Sequence, residues 1–404
     1  MSGTESSRPL LFQPLTLRSV TAKNRIMVSP MCQYQSVDGG PTDWHMVYWG
    51  KFAQGGAGIV FVEETAVEDR GRKSHSCAGI YADEHIPAYR RITDFIKAMD
   101  AVPAIQLGHS GRRASSHDAA QNWRPLVPSD AADGHPPWQG ISASAIPHGP
   151  GWHTPKAMDV DDIRQVVRAF VECTRRSLDA GFEVLEIHGA HGYLLHQFMS
   201  PLSNRRNDAY GGDLEGRMRF PLEVAEAVRA AWPEELPLFY RISCVDGQGG
   251  AWTLDDSVTF ARALAERGVD YVDCSSGGIT GDSSMPIVPR TLGYQSDFAR
   301  YIREHAEVKT IAVGHIETPE QAERYLREGR GDIIAIAREL MWHCDWPVYA
   351  AKTLGVPDAY DLVPPSVAHR LKLRDQTRAR YSDGEGVDVA PYLRANLRPA
   401  DAAG

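Results

Sequence analysis

A chain of 404 residues, 43% hydrophobic and 24% charged, has ordinary globular composition and ample apolar material for a large buried core. Its formal charge of −9, with no basic run or aromatic–basic module, excludes nucleic acid as a partner, because such binders cluster Lys and Arg to displace counterions. No stretch approaches the ~20 apolar residues that span a bilayer, no basic patch leads into an apolar signal segment, and the six cysteines (Cys32, Cys77, Cys173, Cys244, Cys274, Cys344) form no C-x-x-C pair. Membrane, secretion, zinc and a disulfide framework are thereby disfavoured, and a reducing cytoplasm fits best.

Short apolar runs recur along the chain at 25–29 (RIMVS), 59–62 (IVFV), 104–107 (AIQL), 184–187 (VLEI), 238–242 (LFYRI), 271–274 (YVDC), 310–313 (TIAV) and 333–336 (IIAI). Continuous runs of this kind predict strands buried on both faces. Amphipathic helices are expected between them at 161–180, 222–231, 254–267 and 319–328. Thr253 and Thr318 stand as N-caps, the latter before Pro319, while Gly181, Gly268 and Gly329 mark C-termini. Eight strands alternating with helices imply a parallel sheet. Polar residues gather directly after the strand ends, which favours a closed (β/α)8 TIM barrel over an open doubly wound sheet, since a barrel brings all those ends to one mouth. The expected organisation is one barrel domain over residues 1–364 and an extension over 365–404, whose HRLKLRDQTRAR run reads as a solvated or interface helix. Residues 110–155, rich in Gly, Pro, Ser and His, form a structureless insertion after strand three, placed to overhang the mouth as a lid.

The strand ends carry the chemistry. After strand four, His188, His191 and Tyr193 stand in a Gly-punctuated turn, where two imidazoles and a phenol can surround one oxygen atom as negative charge develops on it. H-x-x-H can also chelate a metal, but no acidic residue is spaced to supply a clear third ligand. After strand one comes Ser29-Pro30-Met31-Cys32-Gln33-Tyr34, in which Cys32 is a nucleophile, a cofactor contact or simply a small buried hydrophobe. Gln106 and Arg241 lie within otherwise apolar strands and need partners if buried: a flat polar ligand across the barrel, or for Arg241 an ion pair with Glu186 or Asp273. Strands seven and eight end in Gly314 and in Ala337-Arg338, a place where barrels bind phosphate. No Walker loop or strand-following G-x-G-x-x-G is present, so a nicotinamide would visit as a substrate rather than occupy its own domain.

These residues resemble the old yellow enzymes, in the bacterial branch with a Cys after the first strand. The segment IHGAHGYLLHQFMSPLSNRRNDAYGGDLEGRMRF carries most of the likeness, supported by SPMCQY, QLGHSGR, QGGAW, DCSSGG, GYQ and IAREL, from about Leu11 to about Leu340. The resemblance implies FMN held non-covalently over the mouth, with Ser29, Pro30, Met31, Cys32, Ala66 and Gln106 lining the flavin. Arg241 would face its pyrimidine side, and Gly314, Ala337 and Arg338 its phosphate. Cys32 becomes a redox tuner, His188 and His191 grip a carbonyl or nitro oxygen, Tyr193 is the proton donor, and Tyr34 adds a second hydroxyl. The implied activity is reduction of the C=C bond of α,β-unsaturated carbonyl or nitro compounds with NAD(P)H as co-substrate. Amine demethylation and nitrate ester or nitroaromatic reduction are alternatives on the same fold, and a non-redox lyase or isomerase, or a flavin binder without turnover, are readings of other classes. Ala337 stands where the family often has Gly, GGDLEGR replaces a GGS-x-x-NR pattern, and His343-Cys344 replaces a common Asp-Pro. The resemblance also implies a homodimer or homotetramer, in which Arg370 or Arg394 would reach a neighbour's site.

Overall fold

Eight strands close on themselves. The computed structural model describes residues 8–247, 251–280 and 288–380. In it β3 (Ile26–Val28), β4 (Ile59–Ala66), β5 (Val102–Gly108), β8 (Val184–Gly189), β9 (Leu238–Ser243), β10 (Tyr271–Ser275), β11 (Lys309–Val313) and β12 (Ile333–Ile336) pair in parallel, in that order, with β12 returning to β3. Each expected run is a barrel strand. Several continue past their expected ends, because residues such as Glu64, His188 and Ser275 keep the ladder while carrying polar side chains.

Side-chain alternation divides the core in two. Met27, Ile59, Phe61, Val102, Ala104, Val184, Phe239, Tyr271, Ile311 and Ile333 fill the barrel interior. Their neighbours Ile26, Val28, Val60, Ile105, Leu185, Tyr240 and Val272 face the surrounding helices. The period of two therefore turns Gln106, Glu186, His188, Arg241 and Asp273 inward, above the apolar layer and toward the C-terminal mouth. The floor is closed by an antiparallel hairpin of β1 (Leu15–Leu17) and β2 (Val20–Ala22), whose Leu15, Leu17, Val20 and Ala22 join the interior cluster. Its strands are too short to stand out as apolar runs, and the sequence reading passed over it.

The outer layer comprises α1 (Asp43–Gln54), α2 (Ile86–Ala98), α3 (Val160–Asp179), α4 (Leu194–Met199), α5 (Leu214–Ala231), α6 (Leu254–Ala265), α7 (Ser296–Ala306) and α8 (Pro319–Arg327). The caps behave as expected: Thr253 Oγ1 accepts from Asp256 N and Thr318 Oγ1 from Gln321 N, each at 3.2 Å. α5 begins at Leu214 rather than 222, because Asp213 accepts from Gly216 N at 2.9 Å and starts the helix ahead of its apolar stripe. None of the described helices is long and apolar enough to cross a membrane.

The insertion at 110–155 is not structureless. It carries 3-10 turns at Gly111–Arg113, Ala119–Gln121 and Pro128–Asp133, and β6 (Ile141–Ser142) pairs with β7 (Lys156–Ala157) at its far end. Polar anchors replace the core it lacks. Asp130 takes Arg124 at 3.0 Å, His117 at 3.2 Å and Val127 N at 2.7 Å, while Gln197 of α4 holds Arg112 N and Ser142 Oγ. Such side-chain-to-backbone locks leave no periodicity to read. After β12 come α9 (Arg338–Trp342), α10 (Trp346–Thr353) and α11 (Pro365–Arg380). α11 is the charged helix expected of HRLKLRDQTRAR; only its Ala368 is buried, and Asp375 ties it back to Lys352 and Tyr360.

Candidate active site

The inward polar tier forms one connected set. Gln106 Nε2 donates to Glu186 Oε1 at 2.7 Å, leaving Glu186 Oε2 buried without a partner. Arg241 stands 3.2 Å from Asp273 and donates to Ser29 Oγ at 3.3 Å, so the ion pair expected as one alternative is present, with Asp273 as the acid. Burial, then the Asp273 charge, pushes the Glu186 carboxyl well above the usual carboxylate range. Burial likewise raises Asp273 against the pull of Arg241. Protonated Glu186 is a donor, so the tier presents both donors and acceptors upward.

One turn higher, the His188 ring lies 5.0 Å from His191 and 4.9 Å from Tyr193 between centroids. His191 Nδ1 faces His188 Nε2 at 3.3 Å, and its Nε2 meets Ser275 Oγ at 2.6 Å. His191 adopts a left-handed φ of 58°, held there by its own N–H on Ser243 Oγ at 2.9 Å. His188 Nδ1 is buried without a partner. Burial, then Arg241, drives both imidazoles well below their ordinary pKa, so each is neutral near pH 7 and carries one N–H. Burial first, then Cys32 and Glu64, lifts Tyr193 well above 10 and keeps its phenol protonated. The structure thus brings His188, His191 and Tyr193 together. No described group of His, Cys, Asp or Glu has a metal-binding arrangement, so the chelate alternative receives no support from them.

Beside this cluster lies a cavity of about 400 Å³. Ser29, Pro30, His191, Arg241, Gly314, Ala337 and Arg338 line it together, although they come from five separate strands. The sequence reading missed Tyr294, Gln295, His315 and Glu317 on its rim, of which the GYQ motif was the available signal. Gly314 has φ +112°, and a Cβ there would stand 2.9 Å from Gln295 Nε2 and 3.0 Å from Tyr294 Cε1. The position is thus closed to a side chain both by conformation and by space. Glycine at the lip, backbone N–H groups at the start of a turn and an exposed Arg338 without an ion-pair partner among the described residues suit a phosphate, and the donor–acceptor floor suits a flat polar ring.

Met31, Cys32, Ala66 and Gln106, expected beside the flavin, are not among the residues lining this cavity; Cys32 is half-buried, its thiol raised by burial and then by Glu63. Such a thiol is no ready nucleophile. Met31 is likewise half-buried, and Ala66 is fully buried with its backbone paired to Ala78 and Ile80. Tyr34 Oη accepts from Trp123 Nε1 of the lid at 2.8 Å, with Lys73 Nζ 4.5 Å from the centre of the Trp123 ring. Arg113 lies 5.4 Å over the Tyr193 ring. Lys73, Trp123 and Arg113 were not foreseen, since loops with no shared periodicity deliver them. Arg370 is exposed on α11, while Arg394 and residues 248–250 of QGGAW lie outside the described residues.

A (β/α)8 barrel with this polar tier, a paired-imidazole turn and a glycine-lipped cavity at its C-terminal mouth is an enzyme scaffold of the cofactor-binding kind. A family model described as the NADH:flavin oxidoreductase / NADH oxidase family matches residues 10–356. An NADPH dehydrogenase of Bacillus cytotoxicus is 41% identical over 368 residues, 90% of this chain and 99% of that one. An NADPH dehydrogenase of a Geobacillus species is 42% identical over 348 residues, 86% and 95% of the two chains. Among solved structures, morphinone reductase in complex with tetrahydroNAD is similar with a TM-score of 0.70 at 24% identity, covering 86% of this chain and 92% of that one. The old yellow enzyme homologue from Zymomonas mobilis reaches 0.68 at 24%, covering 89% and 98%; both likenesses concern the fold. The chain belongs to the NADH:flavin oxidoreductase / NADH oxidase family, that of the old yellow enzymes. It is an NAD(P)H-dependent flavin oxidoreductase with non-covalent FMN, which sets aside the lyase or isomerase reading and the idle flavin binder.

Proposed function

We propose that the enzyme reduces the C=C bond of α,β-unsaturated carbonyl or nitro compounds, with His188 and His191 holding the substrate oxygen and Tyr193 supplying the proton. The observation that carries this is the cluster itself: two neutral imidazoles and a protonated phenol with ring centres about 5 Å apart, one of them with a buried, unpartnered nitrogen. The floor and cavity fit FMN. Gly314, Ala337 and Arg338 would hold its phosphate, Arg241 and Gln106 its ring edge, and Ser29, Pro30, Met31, Cys32 and Ala66 the remaining contacts. When bound, FMN supplies two-electron chemistry, replenished by NAD(P)H.

The chain's own residues then have separable tasks. His188 and His191 donate N–H to an oxygen that gains negative charge as the alkene is reduced, which makes the β-carbon electrophilic. Neutrality matters here, because imidazolium at this site would be expelled by Arg241 and burial. Tyr193 keeps its proton until the α-carbon needs it. Ser275 and Ser243 fix the His191 ring and backbone, so that the substrate oxygen need only replace the His191 Nδ1 contact with His188 Nε2. Tyr34 and Trp123 close the substrate side. Exposed Trp342, at 87%, with Met341 and Tyr349 nearby on α9 and α10, supports assembly into a homodimer or homotetramer.

The test is NADPH consumption that depends on cyclohexenone, with cyclohexanone identified as product by mass. Oxidation of NADPH that proceeds only with oxygen, whatever alkene is added, would overturn the substrate assignment.

A further inference from the structure

Three cations at the root of the lid have no carboxylate in contact among the described residues. Arg112 directs its guanidinium to the carbonyls of Ile146, Pro147 and Ile279. Arg113 donates to the His191 carbonyl and covers the Tyr193 ring, with its Nε buried and unpartnered. Lys73 is 4% exposed, and its ammonium lies against the Trp123 face. Among the described residues that ammonium makes no hydrogen bond or ion pair.

Arg112 and Lys73 are buried and Arg113 is half-buried; cations gathered so without an acid in contact are costly, and an anion from outside offsets that cost. The carboxyl whose charge reaches Lys73 is Glu64, but burial and Glu63 hold it up to about 8, leaving it mostly protonated near neutral pH. Both Glu64 oxygens lack partners, so it does not neutralise the lysine by contact. Burial, then Arg113, draws Lys73 down to about 7, so near neutral pH it holds its proton only about half the time, and a bound anion would keep it charged. Placement ties this pocket to the substrate side. Trp123, under which Lys73 sits, bonds Tyr34, and Arg113 lies on Tyr193.

We infer that Lys73 and Arg113 form an anion subsite beside Tyr193, and that the substrate carries a carboxylate in addition to its activated alkene. The second half of that inference rests on the alkene-reduction reading; the subsite does not.

The oxidised holoenzyme is titrated with benzoate and with methyl benzoate, reading the flavin absorbance. A cyclohexenone bearing a ring carboxylate is then turned over against its methyl ester. The wild type should prefer the acid in both assays. Lys73→Met should lose about 10- to 100-fold of that preference, as for a charge-assisted contact, and Lys73→Arg should keep most of it. Equal treatment of acid and ester by the wild type overturns the subsite. So does a Lys73→Met protein that keeps the acid preference and only melts lower, since Lys73 would then be structural. If benzoate shows the predicted preference but neither enone is reduced, the subsite stands and the alkene-reduction reading fails.

Discussion

Gly314→Ala is the sharpest test of where the cofactor sits. At φ +112° an L-residue costs at least about 1–2 kcal/mol. The new methyl would also meet Gln295 Nε2 at 2.9 Å, a group that cannot retreat freely, because it donates to Val313 O at 3.2 Å while its Oε1 accepts from Ser276 at 2.8 Å. Displacing it forfeits one or both bonds, at about 0.5–1.5 kcal/mol each. The combined perturbation is about 1.5–5 kcal/mol, concentrated on the cavity lip. If the lip holds the FMN phosphate, and the strained lip relaxes when FMN leaves, the relieved part appears as a rise in the FMN dissociation constant, of about 10-fold at the low end and up to about 4,000-fold. The assay is quenching of FMN fluorescence by apo-protein, with melting measured alongside. Gly355→Ala is the control: it also has positive φ, at +73°, but nothing within 4 Å of the new methyl. That variant should melt lower yet bind FMN like the wild type. If the two variants bind FMN alike, the phosphate is not at Gly314.

Tyr193→Phe should lower enone turnover about 100-fold or more while flavin reduction by NADPH, followed by stopped flow, stays near the wild-type rate; equal losses in both half-reactions would remove Tyr193 as proton donor. His191→Ala deletes one oxygen-holding donor and should cost about 100- to 1,000-fold in enone turnover; a loss confined to KM would mean uniform binding instead. Folding raises Glu64 from its ordinary 4.5 to about 8, so the native state keeps a proton that the unfolded chain releases, and stability falls as pH rises between those values. Glu64→Gln should flatten that slope, and parallel melting curves for variant and wild type from about pH 5 to about pH 7.5 would contradict the shift. Asp213→Ala removes the α5 cap and should cost about 1 kcal/mol, seen as a melting point lower by about 1 °C with an unaltered flavin spectrum.

What the sequence made legible follows from how strongly each feature is written in periodicity. The barrel strands were readable because burial on both faces demands unbroken apolar runs, and Gln106 and Arg241 stood out as interruptions of them. Glu63 and Glu64 interrupt β4 just as firmly, yet they were taken to lie past its end. A register shift between Phe61 and Glu64 leaves Glu63 in the irregularity, reaching His45, and brings Glu64 back into the ladder opposite Gln106, its carboxyl turned toward Gly108. Glu186 was noticed only as a partner for Arg241 and proved to be Gln106's. The His188, His191 and Tyr193 turn was readable because its members are neighbours in sequence. Lys73, Arg113 and Trp123 were not, because their meeting depends on lid geometry set by single hydrogen bonds, such as those Ser116 sends to the Lys73 carbonyl.

The most direct test of the whole account is an anaerobic titration of the purified protein, followed by visible absorbance. NADPH should bleach the yellow band, and cyclohexenone should then restore it, cycle after cycle. A band that bleaches but is not restored by the enone contradicts alkene reduction, and a colourless protein that takes up no added FMN contradicts the site itself.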